Sequence, residues 1–210
     1  LWPNRLGSIV SFSAFIVRQN SSPKGTMREP IRTERLVLRD ITEADAELLF
    51  ELDSDPDVMR YVSARPAVGV EAYRERTRNV YLPLQAHAWF GIYLVFERAA
   101  FLGWAFVRPA PGHQFARDLG WTREDEIEIG YRYRRAAWGR GIATEAAKPL
   151  MAVALNDPAT ASVVACARID NVASLRVLEK LELARTGEAV LPGVPEPVVK
   201  LARPRREPRA

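Results

Sequence analysis

The chain has 210 residues, 48% of them hydrophobic and 27% charged, which suits one globular domain with a real core. One cysteine, Cys166, excludes an intrachain disulfide framework, and two histidines far apart in sequence, His87 and His113, leave no metal-ligand spacing. The net charge of +4 sits at the ends: residues 1–26 and 203–210 each carry +3, leaving −2 on residues 27–202, which argues against a basic nucleic-acid groove.

Leu6 to Val17 is a short, mostly apolar stretch behind Arg5. It is too short to span a bilayer. No small-x-small cleavage site follows; Arg18-Gln19-Asn20 comes instead. Met27 is the expected start of the domain. Residues 1–26 are then an extension outside it, 27–202 the domain, and 203–210 a basic, solvated tail. No membrane contact is expected, and the cytoplasm is the expected location.

Leu36 to Arg39 reads as the first strand. Thr42 is a good N-cap with Asp45 three positions on, and a helix runs from there to about Leu52. Asp53-Ser54-Asp55-Pro56 ends it, a short helix follows near Asp57 to Tyr61, and Val70 to about Leu84 is a second long helical segment. Trp89 to Glu97 and Phe101 to Val107 read as a hairpin, rich in aromatic and β-branched residues. Pro109 to Trp121 is a long connection of the kind that carries specificity.

Glu126 to Tyr133 is strand-like, and Trp138-Gly139-Arg140-Gly141-Ile142-Ala143-Thr144-Glu145-Ala146 follows it into a helix that ends near Leu155. A strand, a small-residue turn and a helix start make an anion site, because the first N–H groups are free and the dipole is positive there. Bulk at Gly139, Gly141 or Ala143 would block close approach of a ligand. The run is neither a nucleoside-triphosphate loop nor a complete dinucleotide fingerprint, since Thr144 stands where the third Gly would be. Pro149 lies beyond the tolerated first turn and should kink the helix or cost about 3 kcal/mol. Ser162 to Ala167 is the next strand and Asn171 to Leu181 the next helix. Ala184 to Leu201 forms two strands around Leu191-Pro192-Gly193-Val194-Pro195.

Four ordered motifs now stand together: Thr33-Glu34-Arg35-Leu36-Val37-Leu38-Arg39, Glu128-Ile129-Gly130-Tyr131, the Trp138 to Ala146 loop, and Asn171-Val172-Ala173-Ser174 running on to Leu178-Glu179-Lys180-Leu181. Over roughly Ile31 to Ala202 the chain resembles the GCN5-related N-acetyltransferase superfamily, and within it the branch of the ribosomal-protein N-terminal acetyltransferases. The resemblance implies a single α/β (α+β) domain. Its twisted mixed sheet splays at the cofactor site, where pantetheine pairs with backbone, and helices cover both faces.

It also implies acetyl transfer from acetyl-CoA to a primary amine, a small molecule or a peptide N-terminus, by direct attack and without a metal, in a monomer or homodimer. A non-catalytic CoA-binding module of the same fold is the alternative. Carried over residue by residue, Gly139, Arg140, Gly141, Ile142, Ala143 and Thr144 would meet the pyrophosphate, and Tyr131 and Tyr133 would offer backbone to pantetheine. Trp138 stands where the wider superfamily has Gln or Arg and this branch often has Trp. Asn171 matches the residue that bonds the cofactor arm, and is equally a good N-cap for its own helix. Lys180 is a phosphate contact or a solvated lysine. Glu182 replaces the usual Gly, where a left-handed residue is expected.

Alternation puts Glu126 and Glu128 on one face of their strand, opposite Ile127 and Ile129. Glu126 reads as solvent-facing. Glu128 matches the family's Glu and is the candidate general base. Leu178 occupies the place of the usual general-acid Tyr, which leaves Ser174 as the candidate donor near sulfur, unless it bonds its own helix backbone. Cys166 lies in an apolar run and reads as structural.

Overall fold

In the computed structural model of the chain, residues 28–62, 68–110, 114–191 and 193–205 are described. The expected extension over residues 1–26 lies outside them.

The chain enters through β1 (Ile31–Arg32) and β2 (Leu36–Asp40). It continues with α1 (Ala46–Asp53), α2 (Pro56–Met59), α3 (Val70–Arg76) and α4 (Leu82–Leu84), and returns as the hairpin β3 (Gly91–Glu97) and β4 (Ala100–Pro109). After α5 (Gln114–Asp118) come β5 (Glu126–Tyr133), α6 (Ile142–Asn156), β6 (Ser162–Arg168), α7 (Val172–Lys180), β7 (Ala184–Ala189) and β8 (Val198–Pro204). One eight-stranded sheet results, in the order β1-β2-β3-β4-β5-β6-β8-β7, with the β5–β6 contact its parallel pair.

Period-2 alternation divides the sheet into two cores. Leu38, Val95, Ile127, Ile129, Val163 and Leu201 face α6 and α7, which bury Ile142, Ala146, Leu150, Leu175 and Leu178 against them. Ile92, Leu94 and Phe101 face the other way, onto Leu49, Leu52 and Tyr73. Helices therefore cover both faces, as expected.

Three points bear on the sequence reading. The 70–84 helical run contains a wide turn at Thr77–Tyr81, where the Leu82 N–H bonds the Thr77 carbonyl; Pro83, which lacks an N–H, follows at once. The helix α6 runs unbroken across Pro149. The domain also continues past Ala202. Arg203 and Pro204 belong to β8, where Pro204 pairs with Ser162, and Arg203 donates to the Leu181 carbonyl at 3.1 Å. That carbonyl belongs to a helix end, which needs such donors.

The exit of α7 is a Schellman turn. Leu183 N–H bonds the Leu178 carbonyl at 3.0 Å and Glu182 N–H bonds the Glu179 carbonyl at 2.9 Å. Leu183 and Leu178 are both buried. The turn demands a left-handed residue, and Glu182 takes φ 64°. A non-glycine residue there costs roughly 1–2 kcal/mol. Glu182 recovers little of that through its exposed pair with Arg203 at 2.9 Å. Glu182→Gly should therefore raise stability by about 1 kcal/mol, read as a higher midpoint in denaturant at unchanged slope. A lower midpoint would show that the Arg203 pair outweighs the backbone strain.

Candidate active site

The site begins where two strands part. β5 and β6 pair in register over Glu126–Glu128 and Ser162–Val164. Beyond that, β5 stays with β4 as far as Tyr133, and β6 stays with β8 as far as Arg168. The Arg134 N–H donates to the Leu102 carbonyl at 2.8 Å, in register with the β4–β5 ladder. Antiparallel alternation then turns the N–H and C=O groups of Tyr133, Tyr131 and Ile129 away from β4, into the opening. A chain of amides can pair there as a strand would. Trp138 has already claimed one acceptor, because its Nε1–H donates to the Tyr133 carbonyl at 2.8 Å. Its ring is half exposed. Gly130 is required at the start of this edge, because a Cβ there would collide with the Phe106 ring.

The loop beyond β5 makes a 3₁₀ turn over Arg135–Ala137 and reaches α6 through Gly139 and Gly141, at φ 71° and 78°. A Cβ at Gly139 would meet nothing within 4 Å, and one at Gly141 only Arg35 Nη2 at 3.7 Å. The protein itself does not exclude bulk there. Positive φ is what selects glycine, and the space above is left to a ligand. Gly141 is the N-cap and bonds no first-turn N–H with a side chain, so the N–H groups of Ile142, Ala143 and Thr144 head the helix dipole. Ile142 is buried, so only its backbone is on offer.

The cations near the loop are turned elsewhere. Arg140 Nη2 reaches both oxygens of Glu97 at 2.6 and 2.8 Å, Arg134 pairs with Glu51 at 2.6 Å, and Arg135 with Asp55 at 2.8 Å. The charge of Arg140 is thus spent on β3. The contact it leaves for a phosphate is backbone. An open amide edge beside a helix start with free N–H groups fits the pantetheine and pyrophosphate of coenzyme A.

Glu128 stands at the vertex, in the last paired position before the strands part. Its carboxylate is buried and accepts from Arg108 Nε at 2.8 Å. Glu126 is buried too, which corrects the solvent-facing reading: Lys200 Nζ sits 3.0 Å from both of its oxygens. Cys166 projects from β6 on the same face, and burial, with help from Glu128, pushes its thiol up to about 12. Such a thiol holds its proton, consistent with a structural role.

On the opposite face the Tyr131 hydroxyl reaches across to α7. It donates to the Ser174 carbonyl at 3.2 Å and lies 3.1 Å from Ser174 Oγ. Burial pushes the phenol up to about 12, against the lowering effect of Ser174. The Tyr133 ring stacks near Tyr131, and its buried hydroxyl has no partner among the described residues. Asn171 is the N-cap of α7, its Oδ1 accepting from the Ser174 N–H at 3.1 Å. Leu178, in the usual tyrosine place, is buried in the core. Lys180 is exposed at the far end of α7.

A brace around Glu145 was not foreseen as part of the site. Its carboxylate accepts from Thr33 Oγ1 at 2.6 Å, from the Arg35 N–H at 3.0 Å and from Arg35 Nε at 2.7 Å. Arg35 Nη2 in turn donates to the Arg140 carbonyl at 3.1 Å. Burial opposes the charge on Glu145, but the bonds from Thr33 and Arg35 hold its pKa below the usual carboxylate range. Both halves of the brace lie in motifs legible in sequence, Thr33-Glu34-Arg35 and Thr144-Glu145, but nothing along the chain pairs them.

Residues 35–184 match the Acetyltransferase (GNAT) domain family, and the chain belongs to it. FsC-acetyl coenzyme A-N(2)-transacetylase of Aspergillus fumigatus is 28% identical over 159 residues, which span 70% of this chain and 62% of that protein. Among solved structures, the ribosomal alpha-N-protein acetyltransferase RimL in complex with coenzyme A superposes with a TM-score of 0.68 at 20% identity, over 84% of this chain and 98% of that one. The aminoglycoside acetyltransferase AAC(6')-Ib with coenzyme A gives 0.66 at 22%, over 81% and 95%. The chain thus carries the acetyltransferase domain of this family. Among the described residues no helix is long and apolar enough to cross a membrane, and no side-chain group could hold a metal ion.

The brace carries a test. Glu145→Ala strands the Arg35 guanidinium and frees the loop from the N-terminal segment. We expect a small loss of stability and weaker CoA binding by calorimetry. Unchanged melting temperature and CoA affinity would show that α6 alone holds the loop.

Proposed function

We propose that the chain acetylates a primary amine by direct attack on the acetyl-CoA thioester, with Glu128 as proton acceptor and Ser174 as donor beside the leaving sulfur. The observation that carries this reading is the position of Glu128 at the vertex of the β5–β6 opening. An aliphatic amine has a pKa near ~10.4, so at neutral pH it must lose a proton before it can attack. Glu128 faces the side from which an amine would approach and takes that proton directly or through water. Acetyl-CoA supplies the activated acyl carbon. An N–H of the open β5 edge is suitably placed to steady the developing oxyanion. Ser174 lies on the other side of the sheet, where the thiolate leaves, and Tyr131 orients it.

The acceptor is a protein N-terminus or a small-molecule amine; among the neighbours, one is named for a ribosomal protein and one for an aminoglycoside. Acetyl-CoA is available in the cytoplasm, and we place the protein there. A second reading of Glu128 follows from Arg108: the ion pair is structural, and water removes the amine proton.

Glu128→Gln decides between the two. It keeps size and a hydrogen bond to Arg108 but removes the basic carboxylate. A catalytic base predicts a fall in kcat of about 10²–10⁴, with CoA affinity nearly constant. The loss should shrink at high pH, where more of the amine is already neutral. A near-normal kcat with an unaltered pH profile would assign Glu128 to structure.

The donor side has its own test. Tyr131→Phe and Ser174→Ala should each lower kcat about tenfold or more, since a hydrogen bond to a charged group is worth about 1.5–3 kcal/mol. The double variant should be no worse than Ser174→Ala alone, because the two hydroxyls act as one unit. Tyr131 keeps its proton until about 12, so it should add no limb to the pH profile near neutrality. Additive losses would separate the two residues.

A further inference from the structure

We propose that the acceptor is a primary amine bearing no further positive charge, and not a polyamine or a polycationic amino sugar. The proposal rests on the reading of the Glu128 face as the acceptor side.

A cationic ligand is held in water by two kinds of group: carboxylates without a partner and open aromatic faces. On this face both are already engaged by the protein's own cations. Glu128 is paired with Arg108 at 2.8 Å, Glu126 with Lys200 at 3.0 Å, and Asp170 with Arg168 at 2.6 Å. Asp53 is in contact with Arg132 and also accepts from the Tyr73 hydroxyl. The aromatic rings are similarly engaged. Arg108 lies over Phe106 at 4.5 Å, and Arg132 over Trp104 at 5.0 Å. Arg168 and Arg60 approach Tyr61 at 5.3 and 5.5 Å.

The four carboxylates are thus matched by four cations, and Arg60 adds a fifth. One ammonium can reach Glu128 and lose its proton there. A second or third ammonium on the same molecule would be desolvated beside guanidiniums, among carboxylates that the protein's own cations already engage. A neutral or carboxylate-bearing remainder meets no such penalty. The face is built to discriminate by charge, and it selects against multiple positive charge.

The test measures kcat/KM by free-thiol detection for two groups of acceptors. Spermidine and kanamycin form the polycationic group. Peptide α-amines with uncharged side chains and an arylalkylamine form the other. The best monoamine should exceed both polycations by about tenfold or more, a difference of one unpaired charge contact. Its kcat/KM should depend weakly on salt, whereas a carboxylate-lined cleft drawing in a polycation loses rate steeply as salt rises. Arg168→Met, which releases Asp170, should shift the spermidine-to-monoamine ratio several-fold toward spermidine. Equal or higher kcat/KM for spermidine or kanamycin in the native protein overturns the proposal and leaves the acceptor-side reading intact. No turnover with any amine, while calorimetry still reports CoA binding, overturns the acceptor-side reading and the proposal with it.

Discussion

Two parallel strands, β5 and β6, share three residue pairs and then part, and the site is arranged around that parting. Backbone polar groups left without a sheet partner are costly unless something else satisfies them. Here the row from Ile129 to Tyr133 is held open from both sides: β4 fixes one strand, β8 fixes the other, and α6 and α7 pack beneath. The gap is therefore a property of the whole sheet. A ligand carrying amides at strand spacing recovers hydrogen bonds that the protein has left unmade. Trp138 closes the row at its end by taking the Tyr133 carbonyl, which confines such a ligand to the positions before it.

The charge pattern around the loop follows from the same economy of parts. Four guanidiniums surround it, and each is turned onto an acid: Arg35 to Glu145, Arg134 to Glu51, Arg135 to Asp55 and Arg140 to Glu97. Exposed pairs of this kind add little stability one by one. Their effect is geometric, since they tie the loop to α1, to β3 and to the segment before β2. Attraction for an anion is then left to the N–H groups of α6, which are already oriented and lose no side-chain freedom on binding. The Thr33 to Arg39 motif acquires a physical reason in this arrangement. Thr33 and Arg35 brace Glu145, while Arg39 pairs with Asp45 at 2.6 Å and fixes the start of α1.

What could be seen in the sequence was what depends on neighbours along the chain. The strand from Glu126, the glycine turn, the helix from Ile142 and the cap at Asn171 all follow from local alternation, φ preference and capping chemistry. The left-handed residue at Glu182 was legible because a helix exit of that kind requires one. The misread residues depend on partners far away in sequence. Glu126 looked like a surface residue because nothing near it names Lys200, which arrives from β8. The side chain of Arg140 has its partner, Glu97, on β3 and keeps only its backbone for the loop. The domain boundary was set at Ala202 because an arginine-rich end reads as solvated, whereas Arg203 has a helix-end carbonyl to satisfy. Tyr131 was valued for its backbone, and only the packing of α7 against β5 brings its hydroxyl to Ser174.

The two candidate proton-handling groups lie on opposite faces of the sheet, and this separation has a chemical consequence. Glu128 projects with the even-numbered residues of β5, and Tyr131 with the odd-numbered ones. A carboxylate and a hydroxyl in one pocket would bond to each other, and the donor would be spent on the acceptor. Placed on either side of the opening, they are linked only through a substrate that passes between them. On the proposed roles, the amine would meet a base on entry and the sulfur a donor on exit, with the carbonyl carbon at the gap. Direct transfer needs no stored acyl group on the protein, consistent with a Cys166 thiol that stays protonated well above neutrality. On the proposed roles, the opening between β5 and β6 would do more than admit a cofactor: it would keep the two halves of the proton traffic apart until both substrates are in place.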